Sequence, residues 1–206
     1  MAAPELARLL LRPTRVRVYA PRSGRAHGSR RPRWATACAL ALAVGPVLTA
    51  QVAPAPESLT AAFLFRFAQF VEWPPAALAG RTNVDLCVVD GGPVQSALTD
   101  LVAGERVGAR DLRVRRVTDA AADSCHLLYL PAGYRGGRAM LKRLAGRPVL
   151  TVGDAETFLD DGGMVELRMV ANRMRFHIDA GAADRSGLRL SAQLLRLALS
   201  VRGARS

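Results

Sequence analysis

The sequence predicts a single α/β domain: a mixed, mainly parallel sheet flanked by helices, with an antiparallel hairpin near the C-terminus. Three observations predict it. Short apolar runs at 84–89, 126–130 and 149–152 alternate with short amphipathic helical stretches, the pattern of buried strands joined by crossover helices. Two further runs, 164–169 and 173–179, show period-two alternation on either side of Ala171-Asn172. They read as a hairpin closed by a tight turn. Half of the 206 residues are hydrophobic, enough for one domain with a proper core. Parallel strands followed by a hairpin give a parallel sheet with an antiparallel edge.

The chain opens on a basic leader. Residues 1–50 hold nine Arg against one Glu, so +8 of the formal +12 lies there. The rest holds twenty Lys/Arg against sixteen Asp/Glu, a net of +4. That is an ordinary surface, and a nucleic-acid partner is set aside. Arg30-Arg31-Pro32-Arg33 precedes the Ala- and Leu-rich run 34–50. The run has the length of a signal h-region and is short for a spanning helix. Residues 1–53 are therefore expected to be a signal peptide and linker, with Ala50 or Ala53 the last residue removed and the periplasm the destination. An uncleaved N-terminal anchor is the alternative. Ser29-Arg30-Arg31 lacks the apolar residues expected after a twin-arginine pair.

The domain is expected at 58–202. Leu59, Phe63, Phe67 and Phe70 recur at spacings of four, four and three, a buried helix face. Ser58 is the expected N-cap. Trp73-Pro74-Pro75 forces the chain extended and ends the helix near Glu72. This Phe-rich stretch reads as a core helix or as a docking face for a partner.

Residues 84–89 form a strand, Gly91-Gly92-Pro93 a turn, and 94–102 a helix with Val94, Leu98, Leu101 and Val102 on its apolar side. A Gly-Gly between strand and helix can cradle a phosphate, but neither GxGxxG nor GxxxxGK[ST] is present. Residues 112–117 alternate apolar and Arg as a half-exposed strand. Residues 126–130 form a buried strand, and 136–144 a basic amphipathic helix ended by Gly146. Residues 149–152 form the next strand, after which Asp154 is placed to cap a helical turn at 155–159. Gly162-Gly163 frees the backbone for re-entry into the sheet. After the hairpin, 180–186 forms a short helix. Leu190, Leu194, Leu197, Ala198 and Val201 then mark one face of a C-terminal helix closed by Arg202-Gly203.

The residues that carry chemistry are few. Cys38 lies in the leader. Cys87 sits in one predicted strand and Cys125 at the start of another. If those strands are neighbours a disulfide is feasible; otherwise the two are separate buried thiols. His126 adjoins Cys125, but adjacent strand residues point to opposite faces. His177 alternates outward beside Asp179 and reads as solvent-facing. Glu156, Asp160 and Asp161 read as solvated acids. No CxxC or HExxH occurs, and no catalytic, metal or cofactor residues are expected.

Several short motifs occur together in a fixed order. They are Ala61-Ala62-Phe63-Leu64-Phe65-Arg66-Phe67-Ala68-Gln69-Phe70-Val71-Glu72-Trp73-Pro74, Leu86-Cys87-Val88-Val89 and Cys125-His126-Leu127-Leu128-Tyr129-Leu130. Val149-Leu150-Thr151-Val152-Gly153-Asp154, Phe158 and Gly162-Gly163-Met164-Val165 follow. Arg175-Phe176-His177-Ile178, Gly187-Leu188-Arg189-Leu190-Ser191 and Leu194-Leu195 complete the set. With these, the chain resembles the YfiR family of periplasmic regulatory proteins over 59–201. The resemblance implies a non-enzymatic repressor. The best-known family member binds the periplasmic sensor domain of an inner-membrane diguanylate cyclase, holds it inactive, and so lowers cyclic di-GMP and biofilm formation. Cys87 and Cys125 match one of that member's disulfides. Its second bridge has no cysteines here, and Ile178-Asp179 replaces the family's usual Ile-Asn.

The expected partner is thus the periplasmic domain of an inner-membrane diguanylate cyclase or sensor kinase, with a homodimer as a further possibility. Phe70, Trp73 and Arg189 are the expected partner-binding anchors, because interface energy concentrates in aromatic and Arg side chains. Two other function classes stay open. A concave apolar pocket near the Phe-rich helix favours a small-ligand binding module. Clustering of His126, His177, Asp179 and Glu166 in one cleft favours an enzyme.

Overall fold

The structure, a computed structural model, describes residues 55–203. The expected signal segment, its cleavage point and Cys38 lie outside the described residues. The Phe-rich stretch forms α1 (Pro56–Phe70). Pro56 stands at its first position, where a missing N–H costs nothing. The N-cap is Ala55, without a side-chain cap, so the expected Ser58 cap is corrected. Ser58 lies inside the first turn, its N–H already donated to the Ala55 carbonyl.

The helix ends two residues earlier than expected, because Val71–Glu72 forms a short strand, β1, paired antiparallel with β9 (Arg189–Leu190). The buried face of α1 is also rotated from the expected one. Thr60, Ala61, Leu64, Phe67 and Ala68 are buried, whereas Leu59, Phe63 and Phe70 are half-buried. Small Ala61 and Ala68 let the helix axis approach the sheet, which turns Phe63 and Phe70 aside.

After a helical turn, α2 (Pro75–Leu78), the main sheet begins with β2 (Asn83–Val89). The helix α3 (Pro93–Val102), the short strand β3 (Arg106–Val107) and the strand β4 (Arg110–Val117) follow. Leu101 is 40% exposed and does not share the buried side of α3 with Leu98 and Val102. A 3₁₀ turn at Asp119–Ser124 leads into β5 (Leu127–Leu130), then α4 (Gly137–Leu144) and β6 (Leu150–Gly153). The hairpin strands β7 (Val165–Val170) and β8 (Arg173–Asp179) are joined by Ala171 and Asn172 at φ 47° and 59°, as a type I′ turn requires. The short helix α5 (Ala180–Arg185) precedes β9.

With a last strand, β10 (Ser200–Arg202), the eight-stranded sheet has the order β10-β8-β7-β6-β5-β2-β4-β3. Strands β4, β2, β5, β6 and β7 run parallel, and β7 pairs antiparallel with β8. The fold is the mixed, mainly parallel α/β sheet that the sequence predicts. Period-two alternation sorts its residues into two cores. Leu86, Val88, Leu127 and Tyr129 face α1 and α3. Cys87, Val89, Leu128 and Leu130 face α4 and the 3₁₀ turn.

Two further expectations are corrected. No helix forms at 155–159, which is a series of turns. Asp154 caps nothing there: its carboxylate accepts the Tyr129 hydroxyl at 3.0 Å and the Ala132 N–H at 2.6 Å. The expected C-terminal helix is three elements. Leu190 lies in β9, α6 is only Ala192–Leu197, and Val201 lies in β10 (Ser200–Arg202). Ser191 caps α6, while the Leu199 N–H donated to the Phe176 carbonyl draws the last residues onto β8.

Candidate functional site

The rotation of α1 leaves an apolar groove between α1 and α6. Ala62, Phe63, Arg66, Phe67 and Phe70 form one wall. Phe176 of β8 forms the floor, and Gln193, Leu194 and Leu197 of α6 form the other wall. Its volume is about 420 Å³, within the range of small-molecule sites. Phe63, Phe67 and Phe176 meet edge to face, with centroids 5.9, 5.9 and 5.2 Å apart. This is the favoured aromatic arrangement. Leu197 is 59% exposed at the lip. Arg66 at the rim donates to Gln69 Oε1 at 3.1 Å. Among the described residues Arg66 is the only ionisable one lining the groove, so the groove is suited to taking up an apolar or aromatic group beside a cation.

The three expected anchors separate. Phe70 lines the groove, and its carbonyl accepts the Ser191 N–H at 3.0 Å, tying α1 to the start of α6. Trp73 is 7% exposed, and its indole N–H donates to the His126 carbonyl at 3.0 Å, so it packs within the fold. Arg189 is exposed in β9, opposite Glu72. Gln193 and Leu197 also line the groove, and no sequence motif marks them as site residues. The apolar spacing of the last segment assigns Leu197 to a continuous buried helix face instead.

Residues 57–199 match the sequence model of the family described as YfiR/HmsC-like. The chain belongs to this family. A crystal structure of a conserved domain protein from Vibrio cholerae O1 biovar El Tor aligns with a TM-score of 0.48 at 13% identity. That alignment spans 71% of this chain and 60% of that one. The YfiR/HmsC-like family is regulatory and non-enzymatic. Membership supports a periplasmic role in cyclic di-GMP signalling and an interaction with a periplasmic sensor domain in general.

The four residues whose clustering would favour an enzyme are each tied up within the fold of this YfiR/HmsC-like chain. Glu166 and His177 face each other across β7 and β8, with Asp179 further along β8. Glu166 accepts from Arg168 Nε at 2.7 Å and from the Leu159 N–H at 3.3 Å. Asp179 caps α5 through the Ala182 N–H and holds Arg202. His177 is half-buried instead of solvent-facing, its Nδ1 2.6 Å from Ser200 Oγ. His126 lies apart from these three, at the start of β5. Burial pushes its pKa below the ordinary histidine value, against the opposing pull of the Ala77 carbonyl and the Asp85 carboxylate. Among the described residues no group of three or more His, Cys, Asp or Glu is placed to hold a metal ion.

Cys87 and Cys125 form a disulfide with Cα atoms 6.0 Å apart. β2 and β5 are adjacent, and both sulfurs lie in the core beneath α4. Among the described residues no helix is long and apolar enough to cross a membrane. A buried disulfide fits an oxidising compartment such as the periplasm.

Proposed function

We propose that this protein is exported, loses residues up to Ala50–Ala53, and acts by stoichiometric binding. Its partner is the periplasmic domain of an inner-membrane signalling protein, a diguanylate cyclase, which it holds inactive so that cyclic di-GMP and biofilm formation fall. The observation that carries this reading is an open aromatic groove in a member of a regulatory family. An apolar floor with one exposed lip residue is the kind of surface an interface core uses. Deletion of the gene, with cyclic di-GMP and surface attachment measured, tests it. A rise that requires a diguanylate cyclase with a periplasmic domain is the expected result; no change on deletion, with no membrane partner in a pull-down, contradicts it. N-terminal sequencing of the exported protein tests the processing, with a first residue between Gln51 and Pro56 expected.

The groove also supports a second reading as a small-ligand site. Its volume suits a ligand with an aromatic or branched apolar body and an anionic group reaching Arg66. A ligand seated there would occupy the same walls as the partner, so the two readings predict competition.

A further inference from the structure

The hairpin of β7 and β8 continues beyond the sheet that supports its base. β6 pairs with β7 only at Val165 and Glu166, and β10 pairs with β8 only from His177 to Asp179. In the ladder, residues 167–176 therefore pair only with one another, with the Phe176 carbonyl at the base also accepting the Leu199 N–H. They form a two-stranded arm whose outer backbone edges carry no strand. At its end, residues 169–173 are all exposed.

The register divides the arm into two unlike faces. Leu167 pairs with Phe176 and Met169 with Met174, so one face is apolar. Its base is buried, but Met169 is 50% exposed. Arg168 pairs with Arg175 and Val170 with Arg173, so the other face is basic, with Val170 44% exposed at the end. Like charges directly opposite each other destabilise a ladder. Arg168 is relieved by Glu166 and Glu156. Arg173 and Arg175 are exposed and make no ion pair or side-chain hydrogen bond among the described residues.

We infer that this arm is a membrane-surface contact that takes anionic phospholipid. A ribbon with exposed apolar residues at its end and uncommitted arginines beside them has the composition of an interfacial segment. The apolar side chains enter the headgroup boundary, and the guanidinium groups reach lipid phosphates along their aliphatic stems. Six exposed residues, 169–173 and Arg175, are too few to supply the roughly 800 Å² per partner of an ordinary protein interface. A lipid surface needs no such area. This inference does not depend on the repressor reading and is tested without any protein partner.

The test is flotation of the mature protein with vesicles of phosphatidylethanolamine and phosphatidylglycerol, and separately with vesicles of phosphatidylcholine. Binding to the anionic vesicles that weakens with added salt is expected. Arg173→Ala and Arg175→Ala should each reduce partitioning about fivefold. Met169→Asp with Val170→Asp should abolish it, while the control Leu101→Asp, at an exposed apolar residue of α3, should leave it unchanged. All these positions are exposed, so thermal unfolding should stay close to that of the parent. Equal binding to both vesicle types, or no binding, overturns the inference. So does anionic-vesicle binding that survives the arm substitutions.

Discussion

The Nδ1 atom of His126 accepts the backbone N–H of Asp85 at 2.9 Å. Its other nitrogen lies 3.2 Å from the Ala77 carbonyl. With Nδ1 accepting, Nε2 carries the proton and donates to Ala77, so the ring is neutral. The ring also stands edge-on to Trp73 at 5.9 Å, and the His126 carbonyl receives the Trp73 indole. One histidine thus ties α2, β2, β5 and the residues after β1 together.

Protonation of His126 would turn Nδ1 into a second donor facing a donor. Burial lowers its folded-state pKa below the ordinary 6.5. The unfolded chain therefore binds the proton first as pH falls, and stability falls with it. The contribution is full above about pH 6.5 and is lost as pH drops toward the folded-state value. Urea unfolding from about pH 7.5 down to about pH 5 should show a decline of at most about 1.4 kcal/mol per pH unit from this group. The decline should persist in His177→Gln and vanish in His126→Gln. That second variant should also cost about 1–3 kcal/mol at neutral pH, because it leaves buried backbone groups without partners. A flat parent profile contradicts the assignment.

The disulfide spans 38 residues, from the middle of β2 to the entrance of β5. It crosses between adjacent strands that are already hydrogen bonded, so its effect falls mainly on the unfolded chain. Cys87→Ser or Cys125→Ser should lower stability by up to about 4 kcal/mol in the chain-entropy model. The folded variants should retain partner binding, since neither sulfur lines the groove. Non-reducing mass spectrometry of protein from an oxidising compartment should show no free thiol at either position.

Phe158 is clamped between two glycines. A Cβ built on Gly153 would stand 2.3 Å from the Phe158 ring, and one on Gly163 2.2 Å from it. Both glycines are required by close approach. Gly163→Ala should cost about 1–3 kcal/mol through overpacking. In a Phe158→Ala background, itself costing about 3–5 kcal/mol, adding Gly163→Ala should cost less but not nothing, because its Cβ would still stand 2.8 Å from the residue 158 carbonyl. Additive costs in that double-mutant cycle contradict the clamp.

These cases show which parts of the fold were legible in the sequence. The hairpin could be read in full because strand periodicity and the Ala171-Asn172 turn are local signals. The buried strands could be read because apolar runs of that length between glycines and prolines have few other uses. The last segment could not, because the apolar spacing of Leu190, Leu194, Leu197 and Val201 runs unbroken through β9, α6 and β10. Only the pairings with β1 and β8, distant in sequence, divide it. The misplaced cap at Asp154 has a similar cause: Tyr129, in another strand, competes for the same carboxylate. In the groove, the aromatic wall was visible as helical spacing, but its opposite wall depends on where α6 lies.

The groove yields the most direct functional prediction. Leu197 stands 59% exposed at the lip, with Phe70 half-buried below it. A charge at Leu197 therefore disturbs little of the core but sits where an incoming apolar group must be desolvated. Leu197→Asp should weaken binding to the sensor's periplasmic domain by about 2 kcal/mol or more, roughly thirtyfold, as for a central anchor. Its unfolding midpoint should stay near that of the parent. Leu199 is 54% exposed but does not line the groove, so Leu199→Asp should bind normally. Arg189→Ala, on the neighbouring β9, reports whether the interface extends past the groove. Titration calorimetry on the purified pair measures all three. Unchanged affinity for Leu197→Asp would place the docking face elsewhere. Retained partner affinity, combined with loss of a bound small aromatic ligand, would instead favour the small-ligand reading of this groove.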